Sequence, residues 1–248
     1  MDTLSRRQFQ QQTIGSLLTW SLLDTLFTKN AFAEDMKLIA AKWLAELNAM
    51  SLDLKKKKLE QVEWQKQVET LFGKVDLAEM LKFIDFDKLT KDVPKQERGE
   101  ISLHATLPKV EGLPTSLVFG HQVFALSKDR SVVPHGHDNM ATAFLILKGE
   151  FHGRHYDRIE DEPKFMIIKP TLDKNFGPGA VSTVSNMKDN VHWFKALNDG
   201  AFIFNIHVMN ILPGKTGRIY IDPDGEKLKE DRIRAKKIDH KEANRLYG

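Results

Sequence analysis

Apolar residues recur every three to four positions from Met36 to about Val93, which is the spacing of amphipathic helices. Three successive runs show this spacing, and a cluster of four lysines, 55–58, separates the first two. Asp76 opens the third run and is a residue type that caps helix N-termini, so we expect a helix to begin there. The pattern predicts a helical N-terminal segment over residues 34–97.

The pattern changes after Pro94 and Gly99, where short alternating runs are separated by glycine and proline. The candidate strands are 101–107, 117–126, 131–134, 142–147, 151–155, 165–168, 179–184, 191–194 and 201–208. Many short strands with regularly spaced turns are typical of a sandwich, a jelly roll or a small barrel. We therefore expect a mainly β domain over residues 98–225, with one of these three architectures. The strongly charged tail, residues 226–248, is predicted to be helical and to lie on the outside of this domain.

The first 33 residues have the three parts of an export signal. A basic start, Ser5-Arg6-Arg7-Gln8-Phe9, precedes an apolar stretch over 14–27 and the small-residue site Ala31-Phe32-Ala33. The paired arginines followed by phenylalanine resemble a twin-arginine signal. The apolar stretch is too short to span a membrane and contains Asp24. This resemblance implies residues 1–33 as a signal peptide, the export machinery as a partner, and a periplasmic or extracellular location; an amphipathic helix of the folded protein is the alternative.

Composition narrows the chemistry that is available to the chain. The sequence contains no cysteine, which excludes disulfides, thiolate ligands, iron–sulfur clusters and a cysteine nucleophile. The formal net charge is only +3, so the charge balance does not indicate a nucleic-acid partner. A metal ion would have to be held by the nine histidines and the carboxylates.

Two histidines, His135 and His137, stand two residues apart in a predicted strand. In extended backbone, such residues project from the same face, so both imidazoles can bind one ion. Neutral imidazole suits iron, nickel, copper or zinc and leaves the choice of metal open. A pair of surface histidines without a ligand is the alternative for this spacing alone.

The residues around this pair resemble a known family. Pro134-His135-Gly136-His137-Asp138-Asn139, followed by Leu145, Leu147 and Gly149, resembles the first motif of the cupin superfamily. Within it, the string is most similar to the His-x-His-x-Asn motif of three-histidine thiol dioxygenases. The resemblance covers roughly residues 117–210 and implies a cupin jelly-roll barrel.

The same resemblance implies the remaining site residues. His192 corresponds to the histidine of the second cupin motif, so His135, His137 and His192 are the expected metal ligands. His207 follows His192 by fifteen residues, the offset at which relatives of cysteine dioxygenase carry a histidine near the metal, and it is the expected catalytic residue. Met209 stands where those enzymes have a tyrosine and is expected to contact the substrate.

A second group of polar residues lies on the predicted strand after Gly149. Arg154 and Tyr156 share one face of this strand, and His155 lies on the other. If the first face looks into the barrel, Arg154 is expected to bind an anionic group of the substrate, with Tyr156 beside it. A surface ion pair between Arg154 and an acidic neighbour is the alternative.

The resemblance implies a non-haem iron dioxygenase that acts on a small thiol- or enol-type substrate and O₂. The cofactor is expected to be one divalent metal ion, Fe(II) first, with Zn, Ni, Mn or Cu as further options. Two other functions stay open: an exported isomerase, lyase or hydrolase that uses the ion as a Lewis acid, and a periplasmic module that binds a small ligand without catalysis. A homo-oligomer also stays open.

Overall fold

A computed structural model describes residues 35–107 and 116–248. The predicted export signal, residues 1–33, lies outside the described residues. Within the described ranges, no helix is both long enough and apolar enough to cross a membrane.

The helical prediction for the N-terminal segment is confirmed. The helices are α1 (Asp35–Lys55), α2 (Gln61–Phe72), α3 (Leu77–Phe83) and α4 (Phe86–Thr90). Asp76 caps α3, because its carboxylate accepts a hydrogen bond from the backbone N–H of Glu79 at 3.0 Å.

Eleven strands and one further helix follow in the described part of the chain. The strands are β1 (Ile101–Leu103), β2 (Gly120–Leu126), β3 (Ser131–Asp138), β4 (Met140–Lys148), β5 (Phe151–Asp161), β6 (Phe165–Phe176), β7 (Val181–Val184), β8 (Val191–Ala196), β9 (Ala201–Met209), β10 (Gly217–Lys227) and β11 (Ile233–Ile238), and the helix is α5 (His240–Tyr247). All nine predicted strands are present, most of them with longer bounds than the alternation indicated.

The order of strand pairing defines the fold. Strand β2 pairs with β9, β3 with β8, β4 with β7 and β5 with β6, all antiparallel. A long hairpin whose partners pair from the outside inward and then roll into two sheets is a jelly roll. The prediction of a jelly-roll barrel preceded by helices is confirmed by this order.

The two sheets divide the core into layers. The first sheet has the order β1-β2-β9-β4-β7, and the helices cover its outer face through Trp43, Trp64 and Phe72. A second apolar cluster, which includes Phe144 and Phe194, fills one end of the space between the two sheets. Full burial of a side chain of this size stabilises a fold by about 1.5–3 kcal/mol. The predicted metal ligand His192 lies beside this second cluster, with its ring 5.0 Å from that of Phe144.

The prediction of a helical tail is wrong for residues 233–238. Strand β11 pairs with both β6 and β10, and β10 pairs with β3, so this hairpin closes the second sheet into a six-stranded ring. Ala235 is fully buried inside the ring, whereas the lysine and arginine neighbours point outward. The many charged side chains in residues 233–238 concealed the alternation of inward and outward positions that is typical of a strand. The helix of the tail is limited to α5, which Asp239 caps by accepting from the backbone N–H of Glu242 at 2.8 Å.

Candidate metal centre

The three predicted ligands meet on the inner face of the second sheet. His135 and His192 are direct cross-strand partners on β3 and β8, and His137 lies two residues after His135. One ring nitrogen from each of the three histidines lies within 4.8 Å of the other two, and the Nε2 atoms of His135 and His137 are 3.1 Å apart. The prediction that these three histidines form one cluster is confirmed.

The spacing fits a shared ion. Nitrogen ligands sit about 2.0–2.1 Å from a zinc-type ion, so neighbouring ligands of one ion lie roughly 3.0–3.4 Å apart. The Nε2 atoms of His135 and His137 already have this separation. These two rings therefore need little movement to bind an ion together.

Hydrogen bonds fix the orientation of two of the rings. The Nδ1 atom of His135 donates to the backbone carbonyl of Val133 at 2.7 Å, which leaves a lone pair on Nε2 in the neutral ring. The Nδ1 atom of His137 is 3.2 Å from the hydroxyl of Thr142. The Nδ1 atom of His192 is buried and has no hydrogen-bond partner among the described residues. The buried Nδ1 atom without a partner and the two oriented imidazoles match the donor set of a histidine metal site.

Burial keeps the three imidazoles neutral. It lowers the pKa of His135 to about 3, and the positive charge of Arg218 adds to this effect. Burial likewise holds the pKa values of His137 and His192 well below the usual range. The neutral form is the one that binds metal, so the site needs no proton release at neutral pH.

A cavity of about 270 Å³ opens in front of the three ligands. Both sheets contribute its lining: Gln122, Phe124, Val132, His135, His137, Met140, Thr142, Phe144, His192, Asn205, His207, Met209 and Arg218. None of these residues carries a carboxylate. The volume lies just below the range of about 300–1,000 Å³ that is typical of drug-sized ligands, so the cavity suits a small molecule.

His207 lines this cavity from β9 in the first sheet. Its Nδ1 atom lies 3.4 Å from the side-chain oxygen of Asn205, which also accepts from the amide of Gln122 at 3.4 Å. Gly120 makes room for the ring, because a Cβ atom there would lie 2.3 Å from the Nε2 atom of His207. The ring of His207 is thus confined at the cavity wall by its neighbours on β2 and β9.

Of the predicted substrate contacts, Met209 lines this cavity and the other two residues do not. Arg154 and Tyr156 line a separate cavity of about 330 Å³ between β5, β6 and the hairpin β10–β11. The guanidinium Nε atom of Arg154 donates to Asp173 at 3.1 Å, and the group stacks over Trp193 at 5.0 Å. This placement corrects the expectation that the face of Arg154 and Tyr156 looks toward the metal.

The opposite face of β5 is the one that turns inward. His155 is only 1% exposed, its ring lies 6.4 Å from that of His192, and its Nε2 atom is 3.1 Å from the hydroxyl of Ser182. Alternation along β5 correctly separated the two faces. It did not indicate which face belongs to the interior, since this depends on the ring that β10 and β11 close on the other side.

Two residues near the ligands were missed in the sequence. Strand β10 places Arg218 directly opposite His137 and Tyr220 directly opposite His135. The rings of Tyr220 and His135 are 5.6 Å apart. Arg218 and Tyr220 alternate with Ile219 and Ile221, and this alternation is the signal that would have identified the strand.

Comparisons with known proteins add little to this geometry. No protein-family model matches the chain, and no curated protein does. Among solved structures, a conserved protein with a double-stranded β-helix domain from Klebsiella pneumoniae has 14% identity and a TM-score of 0.34, over 53% of this chain and 87% of that one. KdgF from Halomonas sp. has 11% identity and a TM-score of 0.28, over 36% of this chain and 66% of that one. An 11S globulin from Wrightia tinctoria has 10% identity and a TM-score of 0.32, over 41% of this chain.

The chain spans 22% of that globulin and 23% of a second, from Brassica napus. At these TM-scores, the description of the fold as a jelly roll rests on the strand order and not on the similarity.

Proposed function

We propose that the protein is a non-haem iron dioxygenase, with His135, His137 and His192 as the ligands of Fe(II). The observation that carries this proposal is the cluster of three buried, neutral histidines beside a cavity whose lining, among the described residues, has no carboxylate. Three neutral ligands leave the charge of the ion uncompensated, so the cavity favours an anionic donor such as a thiolate or an enolate. When bound, Fe(II) would activate O₂ next to the substrate, and the substrate itself would provide the four electrons as it takes up both oxygen atoms.

The side chains around the cavity suit this reaction. His207 faces the cavity opposite the ligands and offers its imidazole to the reacting groups as a hydrogen-bond partner. Phe124, Phe144 and Met140 form an apolar wall that limits the access of water. The resemblance of residues 117–210 to three-histidine thiol dioxygenases supports the same assignment.

Arg218 takes the role first expected of Arg154. It lines the cavity, lies opposite His137 in register, and acts electrostatically on all three ligands and on His207. A guanidinium binds a carboxylate through two parallel hydrogen bonds, so Arg218 is suited to hold an anionic group of the substrate at the cavity mouth.

Metal analysis together with O₂ uptake tests the proposal. Protein purified without a histidine tag is expected to contain iron and to consume O₂ with at least one member of a panel of small thiols and diketones. His207→Ala should retain iron and slow O₂ uptake by about 10–100-fold, the usual effect of losing a residue beside a metal site. Protein that binds only zinc and shows no O₂ uptake across the panel contradicts the dioxygenase and indicates a Lewis-acid enzyme or a binding protein instead.

We also propose that the mature protein begins near Glu34, outside the cytoplasm. The support is the twin-arginine pattern at Arg6 and Arg7 and the small-residue site that ends at Ala33. Replacing both arginines with lysine should retain the protein inside the cell. Unchanged export of that variant would contradict the assignment.

A further inference from the structure

A chain of polar side chains, buried except for the half-buried Asn186, connects helix α2 with the metal centre. Its members are Gln61 and Gln65 on α2 and Ser185, Asn186 and Asn190 in the turn between β7 and β8. We call these five residues the polar bridge. The bridge lies at the interface where the helices cover the first sheet, among mainly apolar side chains.

At the helix end, two glutamines hold the turn. The side-chain oxygen of Gln65 accepts from the hydroxyl of Ser185 at 2.9 Å, and its amide donates to the hydroxyl of Thr183 at 3.3 Å. The side-chain oxygen of Gln61 accepts from the backbone N–H of Asn186 at 3.0 Å. Gln65 is 2% exposed and Ser185 is fully buried, so solvent does not compete for these bonds.

At the other end of the polar bridge, the turn between β7 and β8 is hydrogen-bonded to the backbone of His137, a proposed metal ligand. The amide of Asn190 donates to the carbonyl of His137 at 2.8 Å and to the carbonyl of Ser185 at 3.0 Å. The oxygen of the same side chain accepts from the backbone N–H of His137 at 3.3 Å. Gly136 permits this approach, because a Cβ atom there would lie 2.7 Å from that oxygen.

The turn also fixes the start of β4. The side-chain oxygen of Asn186 accepts from the backbone N–H of Met140 at 3.1 Å, and Met140 lines the cavity. Asn139, which links Asp138 at the end of β3 to Met140 at the start of β4, has a φ of +57°. The short connection between a ligand strand and a cavity strand is thus held on both sides by the same turn.

Apolar side chains could fill an interface between a helix and a sheet without the free-energy cost of removing polar groups from water. Buried amides and hydroxyls stabilise a fold only when they are paired, and a fully paired network holds one specific geometry. The bonds of the polar bridge are directed at the backbone of His137 and at the turn beside it. Their arrangement is therefore explained by the position they give to the metal ligand.

From these contacts we propose that Gln61 and Gln65 are positioning residues for the metal centre: helix α2 sets the affinity and geometry of the ion by holding His137 through Ser185 and Asn190. The N-terminal helical segment then contributes to metal binding. This inference rests on the proposed metal centre. It extends that proposal by assigning a role to residues that contact neither the ion nor the cavity.

Cobalt(II) is a suitable probe, because its visible spectrum reports ligand geometry and its titration gives a dissociation constant. The variants are Gln65→Met, Ser185→Ala and the double variant. The two single changes remove opposite sides of one hydrogen bond, and Ser185→Ala also removes the acceptor of the backbone N–H groups of Met187 and Lys188. The control is Gln67→Met on the same helix, whose amide donates only to Glu63 at 3.3 Å at the surface. The free energy of unfolding of each metal-free protein is measured in urea.

Each single variant should weaken cobalt binding about tenfold and alter the cobalt spectrum, as the loss of a residue that orients a ligand does. The double variant should weaken binding by less than the product of the two single effects, because both changes break the bond between Gln65 and Ser185. Gln67→Met should bind cobalt like the wild type. If Gln65→Met does not fold, Gln61→Met, which breaks the separate bond to Asn186, is held to the same outcomes.

Variants that unfold more easily yet bind cobalt with wild-type affinity and spectrum would overturn the positioning role and leave the metal centre intact. Absence of cobalt binding by the wild-type protein would instead contradict the metal centre itself. The two failures are therefore distinguishable in one set of titrations.

Discussion

Acid should destabilise the metal-free protein steeply, because its inner face buries several neutral histidines. Burial lowers the pKa of His155 to about 4, although the carboxylate of Asp189 opposes the shift, and it lowers the pKa of His135 to about 3. The unfolded chain binds protons near the ordinary value of 6.5. Between 6.5 and the folded pKa the unfolded state therefore holds more protons, and stability falls as the pH falls.

The magnitude follows from the size of each shift. A histidine whose folded pKa lies two or more units below 6.5 contributes a loss of about 2 kcal/mol when the pH falls from 7 to 5. His135 and His155 together account for about 4 kcal/mol, and His137 and His192 shift in the same direction. Since domains are stable by only about 5–15 kcal/mol, the metal-free protein should lose a large part of its stability by pH 5.

Urea unfolding followed by circular dichroism between pH 5 and 7 measures this slope. His155→Asn removes one buried titrating group that is not a metal ligand, so its stability should differ between pH 7 and pH 5 by about 2 kcal/mol less than that of the wild type. His104→Asn, at an exposed position, should keep the wild-type slope. A wild-type slope that is flat, or one that His155→Asn leaves unchanged, would refute the burial of neutral histidines.

Three further variants test individual contacts. Gly120→Ala brings a Cβ atom to 2.3 Å from the ring of His207, so the ring must move by about 1 Å. Iron should stay bound, while O₂ uptake should fall by up to about 100-fold. Unchanged O₂ uptake would contradict the role of His207. Asn190→Ala leaves the backbone N–H of His137 without its acceptor, and urea unfolding should show a loss of at least about 1–3 kcal/mol. Arg218→Gln should raise the KM for an anionic substrate about tenfold at unchanged iron content, whereas Arg154→Gln should not; equal effects would contradict the assignment of the anion contact to Arg218.

The parts of the molecule that are encoded locally could be predicted from the sequence. His135 and His137 share a face because they are two residues apart in a strand, and motif spacing added His192. The hairpin β10–β11 was missed because charged residues fill its outward positions and conceal the buried alternation around Ala235.

Other features depend on contacts between distant parts of the chain. Arg218 reaches His137 only through the pairing of β10 with β3. The hydrogen bond between Gln65 and Ser185 joins residues 120 positions apart, and no local pattern indicates such a partner. A glutamine on a predicted helix face looks like a solvated residue until the turn that covers it is known.

The metal content of protein purified without a histidine tag decides whether His135, His137 and His192 hold an ion. The wild type should carry one divalent ion per chain, and His135→Ala, His137→Ala and His192→Ala should each abolish stoichiometric binding. His104→Ala, at an exposed position away from the cavity, should keep the ion. A wild-type protein that takes up no divalent metal, or ligand variants that keep as much metal as His104→Ala, would contradict the metal centre.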